Sequence, residues 1–263
     1  MLISRGSSCE GTMRLGVIAD IHGNLPALEA VLADLATQRV DHVVDLGDRV
    51  SGPLWPRETL DRLVELGIPG VRGNHDRLAG STSRDGLGLS DSHAFDALDA
   101  PRRQSLADLP VRLTVLPGIE AFHATPDHDE RYLLDDMREG RLVRAAPGTI
   151  KARLGATDAR IILCGHSHRA ELIQLPGGPL ILNPGSVGCP AYDDPSGQPH
   201  VSEAGSAHAR YAILELVDSL SVPKVEFRAL AYDWEKAAQR AEANGRAEWA
   251  FALRHGLMPA AKA

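Results

Sequence analysis

The chain has 263 residues, 43% hydrophobic and 24% charged, an ordinary globular composition with ample material for one core. Its net charge of −7 lacks the basic footprint of a duplex nucleic-acid binder, and no apolar run reaches membrane-spanning length, so neither partner is expected. Three cysteines, Cys9, Cys164 and Cys189, without CxxC spacing, argue against a disulfide framework and for a reducing, cytoplasmic setting.

Residues 1–12 lack the apolar segment of a signal peptide and read as a disordered extension, with Met1 or Met13 as the true start. Leu15–Ala19 is a short strand-like run ending in Asp20-Ile21-His22-Gly23-Asn24. Asn24 suits a helix N-cap, Pro26 fits the first turn, and Leu28, Val31, Leu32 and Leu35 repeat with helical spacing. His42–Leu46 is a second strand, ending in Gly47-Asp48, and a helix is expected over Glu58–Leu66. Ile68–Val71 reads as a third strand before Gly73-Asn74-His75-Asp76. Three such β–loop–α units in succession predict a layered α/β architecture.

Residues 80–92 read as a loop, with helical segments around His93–Leu98 and Gln104–Leu109. Val111–Leu116 and Ile119–His123 are expected to be strands joined at Pro117-Gly118. A polar stretch from Thr125, a helix near Thr149–Leu154 and a strand at Ile161–Leu163 lead to Gly165-His166-Ser167-His168. Leu172–Leu175 and Leu180–Leu182 precede the tight loop Asn183–Gly188, and residues 189–208 read as mobile. Tyr211–Val217 and Lys224–Ala229 look like an antiparallel pair, and Tyr232–Leu257 is helical. Without an internal repeat or linker, residues 1–263 read as a single domain.

Five polar motifs therefore close apolar runs: Asp20/His22, Asp48, Asn74-His75-Asp76, His123 and His166/His168. Loops at the carboxyl ends of strands are where α/β sheets place ligands. These residues offer oxygen and imidazole donors without thiolate, a set suited to Mn, Fe, Zn or Ni. Residues i and i+2 of an extended segment share a face, so Asp20 with His22, and His166 with His168, point together. Glycine before Asp48, Asn74 and His166 lets the backbone run close to an ion. A carboxylate has two oxygens to share, which makes Asp48 the natural bridge between two ions about 3.5–4 Å apart.

The ordered set DxH, GD, GNHD, H and GHxH resembles the calcineurin-like metallophosphoesterase superfamily. The openings Ile-Ala-Asp-Ile-His-Gly-Asn and Asn-Pro-Gly-Ser-Val-Gly resemble its small bacterial and archaeal phosphodiesterase branch. The likeness covers roughly residues 14–216 and implies a four-layer α/β/β/α sandwich, with 217–263 as a C-terminal strand and helical extension. It also implies two divalent ions, manganese first and Fe, Ni, Zn or Mg as alternatives. Asp20, His22 and His168 would hold one ion, Asn74, His123 and His166 the other, and Asp48 both. A bridging hydroxide would attack a small phosphate-ester substrate. His75 would protonate the leaving group, and Asp76 would orient His75. Such a chain hydrolyses phosphodiesters and some monoesters. A phosphoprotein Ser/Thr phosphatase, a dinucleoside-polyphosphate hydrolase and a non-catalytic scaffold share this core.

The chain departs from the family pattern where Ala124 follows His123, and in its longer tail, which covers the site or makes a subunit contact in a homo-oligomer. His42, His93, His128, His200, His208 and His255 read as solvated or structural. Arg49 and Arg77 flank the motifs and could reach a phosphate. Tyr192, Asp193 and Asp194 could shape substrate choice, and Trp234 and Trp249 read as packing anchors.

Overall fold

The structure, a computed structural model, describes residues 12–217 and 222–260. The expected extension at 1–12 thus falls almost wholly outside the described residues. β1 (Met13–Ile18), α1 (Leu25–Thr37) and β2 (His42–Asp45) form the first unit. β1 and β2 pair in parallel, and β12 (Ala209–Leu216) and β13 (Lys224–Leu230) add antiparallel, giving the order β13-β12-β1-β2. The second sheet is β3 (Arg112–Leu116), β4 (Ile119–Phe122), β7 (Ile161–Leu163), β9 (Leu180–Asn183) and β8 (Glu171–Gln174), in that spatial order.

Alternation of side chains stacks these sheets. Leu15 and Val17 of β1, Leu214 of β12, Leu163 of β7 and Leu182 of β9 share one buried cluster between the sheets. The opposite faces carry the other half of each pattern. Ile18 and Ile213 pack on Leu28, Val31 and Leu35 of α1. Ile162 and Ile181 pack on Ile150 and Leu154 of α6 (Pro147–Leu154). The result is the α/β/β/α sandwich. α1 starts where expected, with the Asn24 side chain accepting from Ala27 N at 3.3 Å and proline in its first turn. α2 (Pro56–Leu66) starts on a proline and ends at Gly67 in the left-handed region, φ 62°.

Two expectations are corrected. Ile68–Val71 is not a sheet strand; it touches β2 only through one parallel bridge, Asp45 to Gly70. Residues 189–208 are not a loop. They contain β10 (Ala191–Asp194) and β11 (His200–Glu203), which join β6 (Arg141–Arg144) and β5 (Asp135–Arg138) in a third sheet, β10-β11-β6-β5. Each of these strands is four residues long and mixes charges with apolar groups, so neither length nor alternation marks it. α3 (Asn74–Ala79), α4 (Leu89–Ala97) and α5 (Ala100–Ala107) fill the segment before β3, α4 starting within the stretch expected to be loop.

The tail folds as a helical hairpin of α7 (Trp234–Ala243) and α8 (Ala247–His255). Ala237, Ala238, Ala241, Ala250 and Leu253 close on Leu54, in the loop before α2. Asn244 Nδ2 donates to Pro53 O at 2.8 Å. No helix among the described residues is long and apolar enough to cross a membrane.

The inter-sheet cluster carries a direct stability prediction. Leu163 is fully buried in it, so Leu163→Ala should cost about 2–5 kcal/mol in urea unfolding. A cost under about 1 kcal/mol would contradict the packing described.

Candidate metal centre

The five motifs converge at one edge of the two sheets. The local backbone shows why the sequence needs its residue types there. Among the described residues seven non-glycines have positive φ, and five are Asp20 (55°), His22 (51°), Asp48 (59°), His166 (69°) and His168 (58°). Asp and His tolerate this region better than most residues, yet such a conformation costs about 1–3 kcal/mol and persists only where surroundings enforce it. Gly73 shows how tight the turn is: a Cβ there would lie 2.1 Å from Asp48 Oδ1. Gly47 has φ 95° and faces the Gly73 backbone.

The imidazoles are aimed by backbone carbonyls. Carbonyls only accept, so Nδ1–H donates from His22 to Ser51 O, from His123 to Leu46 O and from His168 to Cys189 O, each at 2.7 Å. Their Nε2 atoms then face inward. His166 is turned the other way, its Nε2–H donating to Glu130 O at 3.0 Å. Asp20, His22 and Asp48 bring ligand atoms within 4.8 Å of one another, and so do Asp48, His123 and His166. Asp48 belongs to both groups; its Oδ2 lies 3.2 Å from His123 Nε2 and 3.9 Å from His22 Nε2. Asn74 Oδ1 is 3.1 Å from His123 Nε2, and His168 Nε2 is 3.5 Å from Asp20 Oδ1.

The donor set fits cations. The Nε2 atoms of His22 and His168 face each other at 3.1 Å, both on rings whose Nδ1 already donates. Two lone pairs at that distance require a proton or a cation between them. Protonation follows the same logic. Burial opposes charge on every ring, but Asp48 outweighs it at His123, pushing that ring up to about 10, and Asp20 does the same for His168. Burial and the neighbouring charged rings bring His22 down to about 4 and His166 down to about 3. Two rings thus stand neutral and two hold protons that cations would displace.

Asp76 does a different job from the one expected. It accepts from the backbone N–H groups of Asp48 (2.8 Å), Arg49 (2.9 Å) and Gly73 (2.9 Å), pinning the Asp48 loop to the start of α3. The partner of His75 Nδ1 is Asp91 Oδ1 at 2.7 Å, and Ser51 Oγ also donates to that carboxylate. Asp91 lies 16 residues after His75 on α4, in a stretch read as loop, so spacing alone could not find it. Burial disfavours charge on His75, but the Asp48 and Asp91 carboxylates outweigh it and push the ring up to about 9.

Other expectations are also redrawn. Arg49 is buried and pairs with Asp45 at 2.6 Å; Arg77 is held by Asp129 and Glu130 at 2.7 Å each. Neither lines the cleft of about 690 Å³ above the motifs. His200 is buried rather than solvated, and its Nε2 meets Tyr132 Oη at 2.8 Å. Tyr132 Oη also meets Tyr192 Oη at 2.7 Å. The Tyr132 ring stacks on His166 (4.6 Å, 25°), and Tyr192 packs edge-on against His168 (4.6 Å, 68°). The third sheet therefore walls the centre. Trp249 lies 6.0 Å from the His22 ring, so the hairpin forms another wall.

A sequence profile of the calcineurin-like phosphoesterase superfamily domain matches residues 13–203, and the chain belongs to that family of phosphoesterase hydrolases. An uncharacterized protein of Methanocaldococcus jannaschii is 26% identical over 252 residues, spanning 89% of this chain and 94% of its own. The crystal structure of a metallophosphoesterase from Sphaerobacter thermophilus superposes with a TM-score of 0.71 at 26% identity, covering 94% of this chain and all of that one. A hypothetical protein from Pyrococcus horikoshii OT3 shares the fold, with a TM-score of 0.72 at 19% identity over 94% of this chain and 100% of its own. The family implies divalent metal ions.

Because His123 and His168 hold protons in the metal-free state, binding should release about two protons near pH 7, and affinity should rise with pH towards about 10. Calorimetry in buffers of differing ionisation enthalpy measures this. Affinity that is flat between pH 6 and pH 8 would contradict it.

Proposed function

We propose that the chain is a dinuclear, manganese-preferring phosphodiesterase with some activity on monoesters. The observation that supports this most is the placement of Asp48, which belongs to both groups of donors, its Oδ2 lying 3.2 Å from His123 Nε2 and 3.9 Å from His22 Nε2. Asp20, His22 and His168 would hold one ion, Asn74, His123 and His166 the other, with Asp48 shared. Two divalent ions would supply charge neutralisation at phosphorus and an activated water. The remaining work falls to the chain itself. His75, half-buried at the cleft, carries a proton at neutral pH and is aimed from behind by Asp91. It donates that proton to the leaving oxygen. Asp76 keeps the Asp48 carboxylate in register with α3. A scaffold reading fits poorly, because scaffolds of this fold usually lack a ligand or the acid, and every one of those residue types is here.

Manganese-loaded protein should hydrolyse bis-p-nitrophenyl phosphate. Silence with Mn, Fe, Ni, Zn and Mg alike, despite bound metal, would favour the scaffold. His75→Ala should lower kcat by about 10²–10⁴ while leaving metal content unchanged; parallel loss of metal would make His75 a ligand instead. Asp91→Asn should lower kcat by about 10–100-fold. Removing that negative charge lowers the pKa of His75, so the acid form is lost earlier and the alkaline limb of the pH–rate profile moves to lower pH. An unmoved alkaline limb would remove Asp91 from the mechanism.

A further inference from the structure

Resting on the phosphoesterase reading, we propose that the C-terminal hairpin is the subsite for the organic group of the ester. Trp249 is the platform for a planar ring and Arg246 the donor to phosphate oxygens. The cleft of about 690 Å³ lies in the size range of pockets that enclose whole organic ligands, far beyond a bare phosphate. One wall of it is the start of α8, where Arg246, just before the helix, and Glu248 and Trp249 within it line the cleft.

The indole sits beside the chemistry. Its ring is 6.0 Å from His22, whose own ring is 5.4 Å from His75. The Arg246 guanidinium lies 5.9 Å over the indole, and its Nη1 donates to Ser90 Oγ at 3.2 Å. Ser90 precedes Asp91, so the guanidinium stands on the side of the centre where His75 is held. Arg246 Nε pairs with Glu248; Nη2 has no hydrogen-bond partner among the described residues. A planar fork with a spare edge is suited to phosphate. Arg49 and Arg77 are committed to their ion pairs, and Arg153 to Asp136 and the Asp135 carbonyl; Arg131 also lines the cleft, on the side of Glu130 and Tyr132 rather than of His75 and Asp91.

An alanine seam against Leu54 folds the hairpin onto the body; the half-buried Trp249 packs beside that seam and also lines the cleft, while Arg246 takes no part in the seam. Met137 and Met258 add polarisable surface to the same cleft. Stacking on an aromatic platform is worth about 1–3 kcal/mol per ring, which corresponds to roughly 5- to 150-fold in affinity. A nucleobase and a simple aryl group both present such a ring. The third-sheet side is acidic at Glu130, Asp193 and Asp194, so the competing occupant is a cationic ester.

The metal-loaded full chain is assayed with three p-nitrophenyl esters sharing one leaving group: thymidine 5′-monophosphate, phenylphosphonate and phosphorylcholine. All three carry the p-nitrophenyl ring, so the contrast lies in the retained group: KM should be lower for the two ring-bearing esters, whose retained group is thymidine or phenyl, than for the choline ester. Arg246→Gln and Trp249→Ala should each raise KM for ring-bearing esters about tenfold, with bound metal unchanged. A rise for both ring esters identifies ring recognition alone; a rise confined to the thymidine ester identifies a nucleoside. Arg246→Gln keeps the indole in place, so it reads recognition even if Trp249→Ala loosens the hairpin. KM shifts under about twofold in both variants, or a wild-type preference for choline, would overturn the proposal. Calorimetric titration with thymidine 5′-monophosphate separates the two readings. Binding weakened by Arg246→Gln without hydrolysis of any ester keeps the subsite and removes the phosphoesterase; neither binding nor hydrolysis removes both.

Discussion

A carboxylate that is 1% exposed, Asp48, is the constraint on which the rest of the structure depends. A charge taken that far from water must be met by opposite charge or by strong donors. His123 Nε2 and the His75 backbone N–H meet it at 3.2 and 3.0 Å. Its neighbour Asp20 is fully buried too, with His168 and the His166 backbone N–H as partners. Without cations, the burden falls on protonated imidazoles. This is why Asp48 is held well below the usual carboxylate range and His123 well above the usual imidazole range. The centre is an electrostatic knot that divalent ions would relieve.

The fold exists around that knot in a definite order. Two sheets bring the strand ends together, and glycines and left-handed backbone at those ends turn Asp and His side chains inward. Asp76 ties the Asp48 loop to α3 through three backbone donors. Additional elements then give the centre its walls. The third sheet contributes Tyr192 and His200, the segment leading into it Tyr132, and the hairpin Arg246 and Trp249. The sandwich belongs to the family, whereas the walls are what would decide, in the proposed function, which ester fits above it.

The sandwich was legible because its strands are apolar and end in polar motifs; β1, β2, β7 and β12 lie where their patterns put them. The nine expected site residues lie together: Asp20, His22, Asp48, His123, His166 and His168 follow strand ends, whereas Asn74, His75 and Asp76 open α3 after a segment that joins no sheet. Other features were not legible, for identifiable reasons. β5, β6, β10 and β11 are short and charged, and residues of β5, β10 and β11 line a cleft rather than a core. Asp76 follows His75 directly, which invites pairing them, but consecutive residues at a helix start point apart. The orienting carboxylate comes instead from Asp91, a contact across 16 positions that only tertiary structure creates. Arg49 flanks Asp48 in the chain yet turns into the core to meet Asp45, a buried charge claiming the nearest cation.

Metal stoichiometry tests the central claim most directly. The chain, stripped and reconstituted with manganese, is measured by elemental analysis beside Asp48→Asn. The account predicts two ions per wild-type chain and at most one in Asp48→Asn, because the shared carboxylate is removed from both groups of donors. A single ion in the wild type, or two ions retained with unchanged affinity by Asp48→Asn, would contradict it.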